Sequence, residues 1–234
     1  MSARQDLEKQ AAAEAAALLV EDGMRLGLGT GSTVAFLLPA IARRGLGITA
    51  VSTSPRTEEA ARALGIDVRP FDEVPVLDLA IDGADQIAPD FWLVKGGGAA
   101  HTREKLVASA AARFVVIADS SKTVPRLSAP VPLELVAFGL PSTLVRLAAS
   151  DGVTVTLRDV PPSPDGGIIA DYHGPIADPR ALAAGLSATT GIVEHGLFPP
   201  ELVSDVIVGT AHDDGTTSTT ALVRTQSATT EGSR

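Results

Sequence analysis

The chain has 234 residues, no Cys, one Trp, one Tyr and a formal net charge of −9. That length can bury a full core without staples, and the missing Cys excludes disulfides, thiol nucleophiles, Cys-ligated zinc and iron–sulfur clusters. The acidic balance argues against sequence-independent binding to nucleic acid or to an anionic membrane.

The elements alternate from the start. Residues 5–20 read as an Ala-rich helix, 24–29 as a short strand ending in glycines, and a second helix opens at Ser32 or Thr33. A strand at 48–52, a helix from Pro55 closing on Gly65 and a strand at 66–70 follow. Pro near a helix start and Gly just past its end is the expected asymmetry. Residues 78–82 form a buried strand, 99–112 a helix and 113–119 an apolar strand. Strands alternating with helices over this length mean a parallel sheet covered on both faces. After residue 128 the grammar changes: a Pro-broken stretch, a helix at 141–149, strands at 153–159 and 166–173, a helix at 179–186 and a strand at 191–195. Two such passes suggest a smaller α+β domain. The apolar run 204–210 reads as a buried parallel strand returning to the first sheet. The expected division is 1–128 with 204–224, then 129–203, with 225–234 a disordered tail. No apolar run reaches the length of about 18 residues needed for a membrane span, and MSARQDLEKQ lacks the core of a secretory signal. A cytoplasmic location is therefore expected.

Four constellations could carry chemistry. GLGTGSTV (27–34) sits at a strand-to-helix turn, where backbone amides and a helix N-terminus suit an anion. It lacks the Lys of a P-loop and the third Gly of a dinucleotide fingerprint. A small phosphate cradle using the hydroxyls of Thr30, Ser32 and Thr33 remains, or an ordinary tight turn. IDGAD puts Asp82 and Asp85 at the carboxyl end of a buried strand, where open α/β sheets bind ligands. Two carboxylates so close can share a proton, though Asp and Gly also suit a plain polar turn. VKGGGAAHTREK places Lys95 before three glycines and Glu104 in the following helix. Glu104 could act as general base while Lys95 and the loop amides stabilise an oxyanion, or it could be a paired surface residue. ADSSK (118–122) puts Lys122 at another strand end, as an anion contact or part of a polar loop. Only 4 cations are Lys against 15 Arg, so each Lys poses the question of a required ammonium. The four His are too scattered for a metal site, and no metal or other cofactor is expected.

The order GLGTGSTV, VSTSPRTEEAARALGI, IDGADQI, LVKGGGAAHTREKLVASAA, FVVIADSSK, GIVEHGLF and DVIVGT resembles ribose-5-phosphate isomerases of the A type across residues 7–215. The resemblance implies a Rossmann-like, mostly parallel sheet domain with a smaller ferredoxin-like α+β domain. It implies interconversion of D-ribose 5-phosphate and D-ribulose 5-phosphate through an enediolate, within the pentose phosphate pathway. Glu104 would be the base, with Lys95 and the Gly97 and Gly98 amides holding the charged oxygen. Asp82 and Asp85 would bind sugar hydroxyls and assist ring opening. The phosphate would lie among Lys9, Thr30, Gly31, Ser32, Thr33 and Lys122. A homodimer or homotetramer is implied as well. His101 departs from the family pattern and would either tune Glu104 or face solvent. Two other classes compete: a CoA-transferase-like enzyme with Glu104 as nucleophile, and a sugar-phosphate sensor without turnover. IDGAD and the phosphate cradle run against the first, and no basic helix-turn-helix segment supports the second.

Overall fold

The structure is a computed structural model that describes residues 2–224; the expected tail at 225–234 lies outside the described residues. Helix α1 (Ala3–Ala17) starts from a reciprocal capping box between Ser2 and Gln5. Then come β1 (Arg25–Leu28), α2 (Ser32–Ala42), β2 (Thr49–Ser52), α3 (Pro55–Ala63), β3 (Asp67–Val68) and β4 (Leu79–Gly83). The short strands β5 (Gln86–Ile87) and β6 (Leu93–Val94) precede α4 (His101–Ala110) and β7 (Phe114–Asp119). The remainder comprises β8 (Val131–Leu135), α5 (Leu140–Leu147), β9 (Thr154–Leu157), β10 (Ile168–His173), α6 (Pro179–Ser187), β11 (Ile192–His195), β12 (Leu197–Phe198), β13 (Asp205–Ala211) and β14 (Thr217–Val223).

The large sheet runs β14-β13-β7-β4-β1-β2-β3, parallel throughout except for the antiparallel β14 at its edge. Strand order reverses between β1 and β4, and the crevice beyond the carboxyl ends at such a switch point is where ligands bind. Side chains alternate across the sheet. Leu26, Leu28, Leu79 and Ile81 pack with Leu37 and Ile41 of α2 on one face. Leu77, Ala80, Phe114 and Phe198 pack with Val107 of α4 on the other. Each such fully buried Leu or Ile contributes about 1.5–3 kcal/mol. The same period of two sends Asp82 to the α4 side, two residues on from Ala80.

The smaller sheet, β11-β8-β10-β9, is antiparallel with α5 and α6 as its crossovers. That βαββαβ arrangement is the expected ferredoxin-like unit. Its inner strand β8 is the stretch the sequence presents as Pro-broken. Pairing with β11 ends at Leu133, so Pro132 meets no β11 residue. A third sheet, β12-β6-β5, lies against both larger ones. β12 belongs to the 129–203 stretch by sequence but pairs with β6. We propose the expected boundaries as the domain division. No strand is expected after 210, yet β14 adds to the edge of the large sheet through a turn containing Asp214 and Gly215. Its residues are all exposed and mostly Thr and Ser, so no apolar alternation marks it. No described helix is long and apolar enough to cross a membrane.

Candidate active site

Three elements converge at the switch point. β1 leads into Gly29, where a Cβ would fall 1.9 Å from the Asp82 carboxyl; only glycine leaves room for it. Asp82 fills that space and accepts from the Thr30 N–H at 3.0 Å and the Gly83 N–H at 2.7 Å. β6 delivers Lys95, whose ammonium donates to Asp82 at 2.9 Å and to the Gly83 carbonyl at 2.5 Å. From α4, Glu104 sits on the buried helix face with Val107 and Ala108. Its Oε2 lies 3.1 Å from the Lys95 ammonium, an ion pair without hydrogen-bond alignment. All three side chains are buried.

Electrostatics follow from that burial. Desolvation, joined by the Asp82 charge, pushes Glu104 up to about 8, against the pull of Lys95. Desolvation also raises Asp82, again opposed by Lys95. Lys95 is raised despite its burial because two carboxylates flank it. The carboxylates that crowd each other are therefore Asp82 and Glu104, bridged by Lys95, rather than the expected Asp82 and Asp85. Asp85 turns the other way and accepts from the Gly97 N–H at 2.7 Å. The helix N-terminus near Glu104 favours its ionised form, but the loss of water outweighs it.

A cavity of about 100 Å³ opens on this cluster. Glu104, Lys95, Asp85 and residues 96–98 line it. So do Thr30, Gly31, Ser32, Thr33 and Lys122. Gly31, at φ +114°, leads into α2 without any side-chain cap, so the first amides of α2 are left for a ligand. Lys122 is carried by a short turn after β7, held because Glu8 of α1 accepts from the Ser120 N–H and hydroxyl. The expected residues thus meet around one cavity, with two differences in placement. Asp82 is buried against Lys95 and is not part of the cavity lining. Lys9 lies buried on α1 and does not line it. A neighbouring hollow of about 620 Å³ is larger but apolar, shares Thr30, Gly31 and Gly98, and contains none of the clustered acids.

Several contributors were not visible in the sequence reading. The Thr30 hydroxyl engages those of Thr53 at 2.9 Å and Ser54 at 2.7 Å, tying the cradle to the N-cap of α3. A run of hydroxyl residues at 52–54 before Pro55 was the available signal. The solvent-facing option for His101 is corrected: its ring is fully buried beneath Gly96, and burial lowers its pKa to about 4, so it is neutral. Among the described residues no group of three or more His, Asp or Glu side chains gathers as a metal site.

The sequence profile of ribose 5-phosphate isomerase A (phosphoriboisomerase A) matches residues 49–213. A ribose-5-phosphate isomerase A of Caulobacter vibrioides is 47% identical over 229 residues, covering 90% of this chain and 96% of that protein. The crystal structure of ribose 5 phosphate isomerase A from Neisseria gonorrhoeae superposes with a TM-score of 0.87 at 36% identity, covering 95% of this chain and 98% of that one. A D-ribose-5-phosphate isomerase in complex with phospho-erythronic acid gives 0.84 at 33%, covering 92% and 97%. On these likenesses the chain belongs to the ribose 5-phosphate isomerase A family.

Proposed function

We propose that the cavity isomerises D-ribose 5-phosphate and D-ribulose 5-phosphate through an enediolate, with Glu104 as the base. The carrying observation is a cavity lined both by Lys95 and Glu104 of the buried Asp82–Lys95–Glu104 cluster and by the uncapped N-terminus of α2. Phosphate binds at residues 30–33 and Lys122, with Lys9 adding positive charge from α1. That remote handle supplies binding energy that fixes the reacting carbons. Asp82 and Asp85 bind hydroxyls and help the ring open. The Glu104 carboxylate takes the proton from C2 of the open-chain aldose, and the electron pair forms the C1–C2 double bond. The former carbonyl oxygen gains charge beside Lys95 and the Gly98 amide, while the Gly97 N–H, which the resemblance also assigned to the oxyanion, is held by Asp85. Glu104 then returns a proton to C1 while the 2-hydroxyl proton passes to O1, leaving a ketone at C2. Phospho-erythronic acid, which a relative binds, combines a phosphate with a planar pair of oxygens, which suits a site offering both the 30–33 cradle and Lys95. We place the reaction in the cytoplasmic, non-oxidative pentose phosphate pathway, carried out by a homodimer or homotetramer.

The test is ketose formation from ribose 5-phosphate, with and without EDTA, by the protein and by Glu104→Gln. EDTA-insensitive turnover is expected, with a loss on the order of 10²–10⁴ in kcat for the variant. Near-normal turnover by Glu104→Gln would remove the base. The pH profile adds a sign. A base must be ionised, and burial raises Glu104 to about 8, so kcat/KM rises with pH toward that value. An acid limb in the ordinary glutamate range would contradict the raised carboxyl.

A further inference from the structure

The loop 96–99 does not hold its shape unaided. Gly96 has φ +101° and Ala99, which carries a side chain, has φ +60°. A non-glycine residue in that region is costly and persists only where its surroundings fix it. One fastening is internal, the Ala99 N–H donating to the Gly96 carbonyl at 3.0 Å. The other comes from the small domain. Arg158, just past β9, donates from one guanidinium nitrogen to the Gly96 carbonyl at 2.9 Å and to the Gly97 carbonyl at 3.2 Å. Its other two nitrogens form a fork on Asp171 of β10, at 2.8 and 2.6 Å. Both side chains are largely buried.

Those two carbonyls belong to the peptide units whose N–H groups are those of Gly97 and Gly98. A charged donor on a peptide oxygen polarises the unit and strengthens its N–H as a donor, because hydrogen bonds in a chain reinforce one another. At the far end of the first unit, the Gly97 N–H already holds Asp85. Charge therefore alternates along one line: Asp171 carboxylate, Arg158 guanidinium, peptide, Asp85 carboxylate. The second unit ends in the Gly98 N–H, on the wall of the cavity.

We propose that Arg158, anchored by Asp171, is a positioning residue for the isomerisation: it fixes and polarises the Gly96–Gly97 and Gly97–Gly98 peptides from behind. One serves Asp85 and the other the developing oxyanion. The inference rests on the isomerase reading above. It also makes the small domain a participant in the chemistry, because the oxyanion loop is set by a side chain across the domain boundary. Charge stabilisation is needed most in the transition state, so the effect falls on kcat rather than on phosphate affinity.

The experiment measures kcat and KM for ribose 5-phosphate in Arg158→Met, Arg158→Lys and Asp171→Asn, beside the parent and Glu104→Gln. Melting temperatures identify variants that fold. Arg158→Met should lose on the order of 10–100-fold in kcat with KM within about threefold, below the loss for Glu104→Gln. Arg158→Lys keeps the charge but cannot fork on Asp171 while reaching two carbonyls, so it should recover only part of the loss. Asp171→Asn should fall between Arg158→Lys and the parent. Added guanidinium ion at millimolar concentration should raise kcat of Arg158→Met and not of Glu104→Gln. A folded Arg158→Met with parental kcat, or a loss confined to KM, overturns the proposal while leaving the isomerase reading intact. If Arg158→Met does not fold, parental kcat in Arg158→Lys overturns it equally. A parent chain without isomerase activity, or Glu104→Gln at full activity, would instead strike the underlying reading.

Discussion

Two lysines lie close to one phenylalanine. The Lys95 ammonium is 5.3 Å from the centre of the Phe198 ring, and that of Lys105 is 5.0 Å from it. Both are largely buried, and Phe198 is fully so. Yet Lys95 is raised above the ordinary lysine range and Lys105 is lowered. The ring cannot account for the difference, since it faces both. Company does. Lys95 has two buried carboxylates, whereas Lys105 has only the part-exposed Glu194 at 2.7 Å, with the His195 carbonyl also at 2.7 Å. Burial penalises a cation, and one half-solvated partner does not offset it; two desolvated partners do. The lesson for Glu104 is the mirror image. With one cation shared between two carboxylates, the second acid stays basic enough to take a proton.

Removing the first lysine should break this comparison hardest. Lys95→Met leaves Asp82 and Glu104 buried without their cation, a loss of about 3–5 kcal/mol in stability at neutral pH. The sign with pH is fixed by the raised carboxyls. Acidification protonates the stranded pair, so the penalty should shrink at lower pH, read as melting temperature against the parent. A penalty that grows on acidification would refute the pairing. Lys122→Ala probes a third lysine at the cavity rim, where the partner would be the substrate phosphate. It should cost roughly 1.5–3 kcal/mol of binding, seen as a raised KM with kcat little changed. An unchanged KM would take Lys122 out of the cradle. The smallest effect belongs to Lys105→Met, about 1 kcal/mol of stability, because its Glu194 partner can turn toward water. That variant should leave the acid limb of kcat/KM where it was. A shifted limb would mean that Phe198 does not keep the two clusters apart.

Much of the site was legible because its chemistry is local. IDGAD, KGGGA and REK each end a strand or open a helix, so their residues had to gather at the sheet's carboxyl edge. The alternation of the first 120 residues made the parallel sheet readable in the same way. What escaped was long-range. That Asp82 pairs with Lys95 rather than sharing a proton with Asp85 depends on which way each side chain leaves its strand and turn. Arg158 is about 60 residues away from the loop it holds, and nothing in VTLRD marks its target. β8 was hidden by its prolines, because a β11 pairing that stops short of Pro132 while β10 pairs past it is invisible in one strand's sequence. β14 was hidden by its exposure: with both faces wet, selection for alternation is absent, and only the Asp214–Gly215 turn hinted at a hairpin.

One contact near the chain's start has a bearing on how the molecule is born. Gly209 of β13 lies so close to α1 that a Cβ there would fall 1.9 Å from the Glu8 carbonyl oxygen. Nearby, Arg4 donates to the Ala211 carbonyl at 2.6 Å, and the Ala211 N–H donates to the Glu8 carboxylate at 3.2 Å. Helix α1 therefore docks on a strand about 200 residues further along the chain. Until that strand is made, α1 has only α2 and β7 to pack on. At about 5–20 residues per second of synthesis, the nascent chain spends on the order of ten seconds or more with that seat incomplete. A growing chain of this fold should thus acquire its activity in one late step, and a short truncation reaching into β13 should abolish it altogether.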